Sequence, residues 1–299
     1  MEHWPSPKWR ESPTRTNIAL KQPPGDRADK MTGLETINAT PVWLLASLVI
    51  GVCVVFSVGL QLLVRWIFGV EFISTNHEVA GFKYAVVGVA YAVLLAFVVV
   101  GVWQEFEDTK HAVDAEAERF YNLYRNSYNY PDADGAKIRA ALMVYAVAVR
   151  NDDWPQMERG HRGSEEAAEA YAKLSYTLGQ IQSNDLALMP TILHGIDLLQ
   201  QTADLRLERL SDVGGHMTPV IWGVLILGGA ITLAYPAFFA TQKVGPQVLM
   251  TAGLAMIVGA TFFLAIHLNF PFSGPDHITP DPIDRVIERM KTEGPVGAE

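Results

Sequence analysis

Apolar and polar positions fall into long blocks along this chain rather than into short amphipathic periods. Four blocks hold no Asp, Glu, Lys or Arg: Val42 to Val64, Tyr84 to Trp103, about Thr218 to Phe239, and about Val248 to Leu268. A helix rising 1.5 Å per residue needs about 20 apolar residues to cross about 30 Å of hydrocarbon, so each block predicts one transmembrane helix. Arg65 and Trp66 close the first block; Lys83 and Glu105 bracket the second. Trp43, Trp66, Tyr84, Trp103 and Trp222 fall near block ends, where interfacial aromatic anchors sit. Four runs of this length and purity argue against buried helices of a soluble core.

The polar remainder divides accordingly. Residues 1–41 are polar and Pro-rich and predict a disordered tail, with Met31 as a second candidate start. Residues 42–103 carry the first two spans, 104–217 a helical domain, 218–268 the last two spans, and 269–299 a terminal segment. Within 104–217, the second span continues without a breaker to about Tyr128. A helix follows Asp134, with Ile138, Leu142 and Tyr145 at helical spacing. Asn151-Asp152-Asp153-Trp154-Pro155 predicts a stop and an Asp-capped restart. A further helix follows Ser164, and a last one runs from about Asn184 to Asp212, kinked or interrupted by Pro190. The stretch Asn269-Phe270-Pro271-Phe272-Ser273-Gly274-Pro275 cannot be helical. After it, Asp281-Pro282 opens an amphipathic helix whose Ile283, Val286, Ile287 and Met290 share one face, to dock on the helical domain or on a neighbouring subunit. The predicted fold is all-α: an integral membrane protein with four transmembrane helices and a helical cytoplasmic domain inserted between helices 2 and 3.

Charge adds an orientation. Four spans place the tail, residues 104–217 and the terminal segment on one side, with 20 of the 23 Lys and Arg. The positive-inside rule makes that side cytoplasmic, with both termini inside. The net charge of −9 excludes the electropositive footprint of a nucleic-acid binder. The single Cys53 forms no internal disulfide.

Candidate chemistry is sparse. Gly81, Ala85, Gly88, Ala92 and Ala96 form a ridge of small residues along the second span, and Thr251, Ala255 and Gly259 a shorter one along the fourth. Such ridges let helices approach closely in lipid. The opposite side of the second span presents Val87, Leu94, Phe97 and Gly101, then Gln104 and Asp108 at its polar end. Such a face either lines a hydrophobically gated pore or meets lipid and then water. Below it, Glu105, Glu107, Asp108, Asp114, Glu116 and Glu118 form either an acidic pore mouth or a solvated face partnered by Lys110 and Arg119. Glu107, His111 and Asp114 share a helix face, but a di-iron bundle needs Glu-x-x-His pairs on two helices and the chain has no second pair. His194 and Asp197 stand one turn apart with no nucleophile. No P-loop, Gly-x-Ser-x-Gly or HExxH is present, so neither enzyme activity, metal nor cofactor is expected. No span interior holds a charge, which argues against an ion-coupled transporter.

One segment has a familiar form. Asn76-His77-Glu78-Val79-Ala80-Gly81 and the continuation to Trp103 and Phe106 resemble the signature of the bestrophin-like family of bacterial membrane proteins. Pro271-Phe272-Ser273-Gly274, just after the last span, resembles its second signature. The resemblance covers roughly Leu44 to Met290. It implies four spans, cytoplasmic termini and middle domain, and, by analogy with bestrophins, a pentameric ion channel whose second span lines the pore. Self-association, the lipid bilayer and ions are then the expected partners. Val87, Leu94 and Phe97 would form the constriction and Gln104 and Asp108 its cytoplasmic mouth. No calcium site or ion preference carries over, since no neck or calcium-clasp motif matches residue by residue. The alternative is a non-conducting membrane scaffold or sensor whose cytoplasmic helices bind a partner.

Overall fold

A computed structural model describes residues 41–74, 77–181, 185–239, 243–274 and 277–293, with side chains 70–80 outside the description. The expectations for the N-terminal tail, for Asn76 and for a helix start at Asn184 lie outside these residues. Nine α-helices are described: α1 Val42–Ser74, α2 His77–Asn126, α3 Asp132–Ala148, α4 Trp154–Glu158, α5 Glu165–Gly179, α6 Met189–Ser211, α7 Pro219–Ala234, α8 Val244–Asn269 and α9 Asp281–Thr292. Among the described residues there is no strand. Four helical stretches are long and apolar enough to cross a membrane, and they include α1, α2, α7 and α8.

Helix ends depart from the apolar blocks in instructive ways. α1 runs past Arg65 to Ser74, broken only at Gly69, where φ is +71°. Arg65 marks the edge of the apolar run and not the end of the helix, because its long stem and strong helix propensity suit a helix crossing into water. α7 stops at Ala234, and Pro236 tightens the next turn, Tyr235–Phe238, into a 3-10 helix. The predicted stop at Asn151–Pro155 is absent. A π turn, Val149–Asp153, carries α3 into α4, and Asp153 has helical φ and ψ. Pro190 starts α6 instead of kinking it, a position where its missing N–H costs nothing. Ser164 caps α5 by accepting from the Ala167 N–H at 3.1 Å.

In the span region α1 packs along α8, and α2 against α7 and α8. The small ridge of α8 makes the first contact: Thr251 and Ala255 are buried, and a Cβ on Gly259 would stand 2.9 Å from Ile50 Cα. α2 meets α7 at Gly228 and Gly229, where Tyr91 approaches so closely that a Cβ on Gly228 would stand 2.6 Å from its ring, and Tyr91 donates to the Leu225 carbonyl at 3.1 Å. Ser57 likewise donates to the Leu233 carbonyl at 2.7 Å. Hydrogen bonds to backbone and close packing hold helices together where lipid offers no hydrophobic drive.

Beyond the spans, the second half of α2 and α6 pack along each other in opposite directions, α3 pairs with α5, and α9 crosses α2 and α3. One apolar core joins them, centred on Phe120, Leu123, Tyr145, Trp154 and Leu174. Ile283, Val286, Ile287 and Met290 of α9 are buried in that core, so α9 docks on its own chain. The turn before it is fixed by Phe272, which is buried edge-on against Trp154 with ring centroids 5.9 Å apart.

Candidate pore helix

α2 is one unbroken helix of 50 residues that belongs to both halves of the molecule. No Gly or Pro falls between Trp103 and Asn126, so no residue interrupts the i to i−4 ladder where the chain leaves the apolar region. Its two sides differ. Tyr91 and Leu95 are buried against α7 and α8, and Val102 is buried two turns further along. Phe82, Val86, Val93, Phe97 and Val100 point away from the chain, with Phe97 75% exposed.

The expected site residues distribute unevenly over these sides. Phe97 stands on the outward side, Leu94 at its flank with 36% exposure, and Val87 half-buried at its edge. Gln104 and Asp108 are exposed past the last tryptophan of the span. Of the small ridge, Ala85, Ala92 and Ala96 are exposed, and nothing lies within 4 Å of a Cβ built on Gly81 or Gly88. Within the chain, then, α2 packs through Tyr91 and Leu95 and the ridge stays open. The signal for the real contact was the Gly228-Gly229 pair on α7, which lets an aromatic ring lie against backbone.

The acidic stretch also divides. Glu107 pairs with Lys110 at 4.0 Å and Asp114 with Arg285 at 3.6 Å, both exposed. Glu116 is not on a solvated face, and Arg119 is not its partner. It is fully buried and accepts from Arg209, Oε2 from Nε at 2.5 Å and Oε1 from Nη2 at 3.1 Å. Arg209 Nη2 also reaches Asp153 Oδ2 at 3.2 Å, and its guanidinium stacks 5.3 Å from the Trp154 ring. Asp153 Oδ1 accepts from the Ser164 N–H at 2.7 Å and from its hydroxyl at 3.0 Å, and Arg206 approaches at 3.3 Å. Burial works against the Arg209 charge, but Glu116 and then Asp153 outweigh it and raise its pKa above the ordinary guanidinium value. This knot ties α2, α4, α5 and α6 together.

A second junction sits where the spans meet the extramembrane helices. Thr109 donates to Asp212 Oδ2 at 2.8 Å, and the His216 ring lies 2.9 Å from Asp212 Oδ1. Asn269 Oδ1, at the end of α8, accepts from the backbone N–H of His216 and Met217 at 3.2 and 3.0 Å. Gly215 allows this approach: its φ is +76°, and a Cβ there would stand 2.4 Å from Asn269 Nδ2. Of the second signature, Phe272 and Ser273 are buried, Ser273 donates to the Glu158 carbonyl at 3.4 Å, the Pro271 carbonyl accepts from the Ile278 N–H at 2.8 Å, and Gly274 has φ +99°. That motif builds the turn that seats α9. Of the first signature, Gly81 and Trp103 are described, and both stand at the surface of the chain or near it; the Glu78 side chain is outside the description.

Four membrane-length helices, the second of them 50 residues long, with further helices between the second and third, define a class of membrane protein. The bestrophin-like domain pattern matches residues 51–283, and the chain belongs to that family. A solved single-residue variant of a bacterial bestrophin homologue from Klebsiella pneumoniae superposes with a TM-score of 0.63 at 12% identity, covering 82% of this chain and 98% of that one. Another structure of the Klebsiella pneumoniae homologue gives 0.60 at 15% identity, covering 83% and 99%. Among curated proteins no significant match is found.

Proposed function

We propose that the chain assembles in a bacterial inner membrane as a homo-oligomer, a pentamer by analogy, and conducts ions along a path lined by α2. The helical domain and both termini face the cytoplasm, in keeping with the excess of Lys and Arg on that side. One observation carries the reading: α2 turns an apolar stripe, Phe82, Val86, Val93, Phe97 and Val100, away from its own chain while its opposite side is clamped to α7 and α8. Copies arranged with these stripes inward would form a hydrophobic constriction, with Phe97 at its centre, Leu94 and Val87 beside it, and Gln104 and Asp108 at the cytoplasmic mouth. The small ridge, Gly81, Ala85, Gly88, Ala92 and Ala96, then lies open for a neighbouring copy's helix. Family membership supports the channel reading.

Purified protein in planar bilayers tests it. Conductance is expected, and Phe97→Ala and Leu94→Ala should raise it by widening the constriction. A monomer or dimer in detergent, with no conductance under any ion condition or voltage, overturns the proposal.

A further inference from the structure

We infer that the wedge between the far end of α2 and the first turns of α6 binds a soluble oxyanion, a phosphate or carboxylate group of a small molecule. The wedge is an open cavity of about 700 Å³. Arg119, Asn122, Arg125 and Asn129 line one wall, and His194 and Gln201 face them across Leu198. Among the described residues no carboxylate lines it. The nearby Asp197 accepts a hydrogen bond from the lining Gln201 Nε2 at 2.8 Å. Close helix packing shapes the site: Gly195 brings α6 down onto Asn126 and Tyr130, where a Cβ would stand 2.4 Å from the Tyr130 hydroxyl.

Among the described residues, some arginines nearby are paired with carboxylates and some are not, Arg139 over the Tyr128 ring at 4.2 Å and Arg289 over the Tyr121 ring at 5.6 Å among the latter. Arg150, Arg206, Arg209 and Arg285 each have a carboxylate within 4 Å. Arg119 and Arg125 have none among the described residues, and Arg125 meets only the Tyr121 ring at 6.0 Å. Arg119 Nε is buried with no hydrogen-bond partner. A guanidinium fork matches phosphate and carboxylate oxygens bidentately, and both arginines line the cavity. In a chain of net charge −9, two guanidiniums on one cavity with no lining carboxylate among the described residues favour negative charge there. Lipid headgroups are out of reach, since Arg119 lies about 24 Å along the helix beyond Trp103 at 1.5 Å per residue.

The inference is independent of whether the chain conducts. The test is isothermal titration calorimetry on the full chain, purified in detergent without phosphate, with inorganic phosphate or citrate at fixed ionic strength. Saturable binding of at least one anion, one per chain, is expected. Arg119→Gln and Arg125→Gln should each weaken it at least tenfold, while Lys137→Gln, whose ammonium already pairs with Asp134 at 2.8 Å, should leave it unchanged. Arg125 is exposed, so Arg125→Gln keeps the test valid if Arg119→Gln fails to fold. No saturable binding of either anion, or wild-type affinity in the arginine variants, overturns the inference.

Discussion

Replacing Arg209 by Met tests how the extramembrane helices are held together. The side chain is fully buried and makes two hydrogen bonds to Glu116 and one to Asp153. Met fills much of the same space but leaves two buried carboxylates without their shared cation. Asp153 keeps Ser164 and Arg206; Glu116 loses both its bonds. Removing one partner of a buried pair costs about 3–5 kcal/mol. At about 2–4 °C per kcal/mol for a chain of this size, the melting temperature should fall by about 6–20 °C. Near-UV circular dichroism in detergent reports the loss, because Trp154 packs under the guanidinium. Two controls sharpen the result. Asp284→Asn breaks the half-exposed pair with Arg150, 2.8 Å apart, and should cost no more than about 1 kcal/mol. Arg209→Met combined with Glu116→Met removes both charges and should recover most of the stability, since apolar replacement of a whole buried pair is nearly neutral. A single variant no worse than Asp284→Asn, or a double variant no better than the single, refutes the reasoning.

Two further outcomes are expected. The Tyr145 hydroxyl is buried without a partner between the Phe120 and Tyr171 rings, so Tyr145→Phe should stabilise the protein by about 1 kcal/mol, read as a melting temperature raised by about 2–4 °C. Burial, and then the hydrogen bond with Tyr128, push the Tyr124 phenol up to about 12 from its ordinary value of 10.0. A raised folded-state value means the contribution is complete below pH 10 and is lost as pH climbs toward 12, because the unfolded phenol ionises first. Melting temperatures measured across that window should fall more steeply for the wild type than for Tyr124→Phe.

The spans were legible because lipid demands a long apolar run, and that demand is local. The amphipathic face of α9 was legible for the same reason: Ile283, Val286, Ile287 and Met290 carry their period within three turns. Glu116 was not. Its meaning depends on Arg209, 93 residues away, and an acidic residue among acidic neighbours reads as a solvated one. Asp153 misled in a similar way. Next to Trp154-Pro155 it has the chemistry of a cap, yet its carboxylate is spent on Ser164, Arg206 and Arg209 while the backbone passes through as a π turn. The two small ridges look alike as sequence, but only that of α8 meets another helix of the chain. Orientation about a helix axis is set by tertiary partners, which no local spacing encodes.

The continuity of α2 has a mechanical consequence. Its 50 residues make a rod about 75 Å long. A tilt of about 5° about the midpoint moves each tip by roughly 3 Å in opposite directions, at 1.5 Å of rise per residue. The far tip is gripped by the C-terminal segment, since Tyr124 donates to the Met290 carbonyl at 2.8 Å and Tyr121 bonds to Glu293. α9 therefore holds one arm of an unbroken rod, and Phe97 stands about 7 Å from the midpoint on the other, so the same tilt that moves the far tip by roughly 3 Å moves Phe97 by less than about 1 Å.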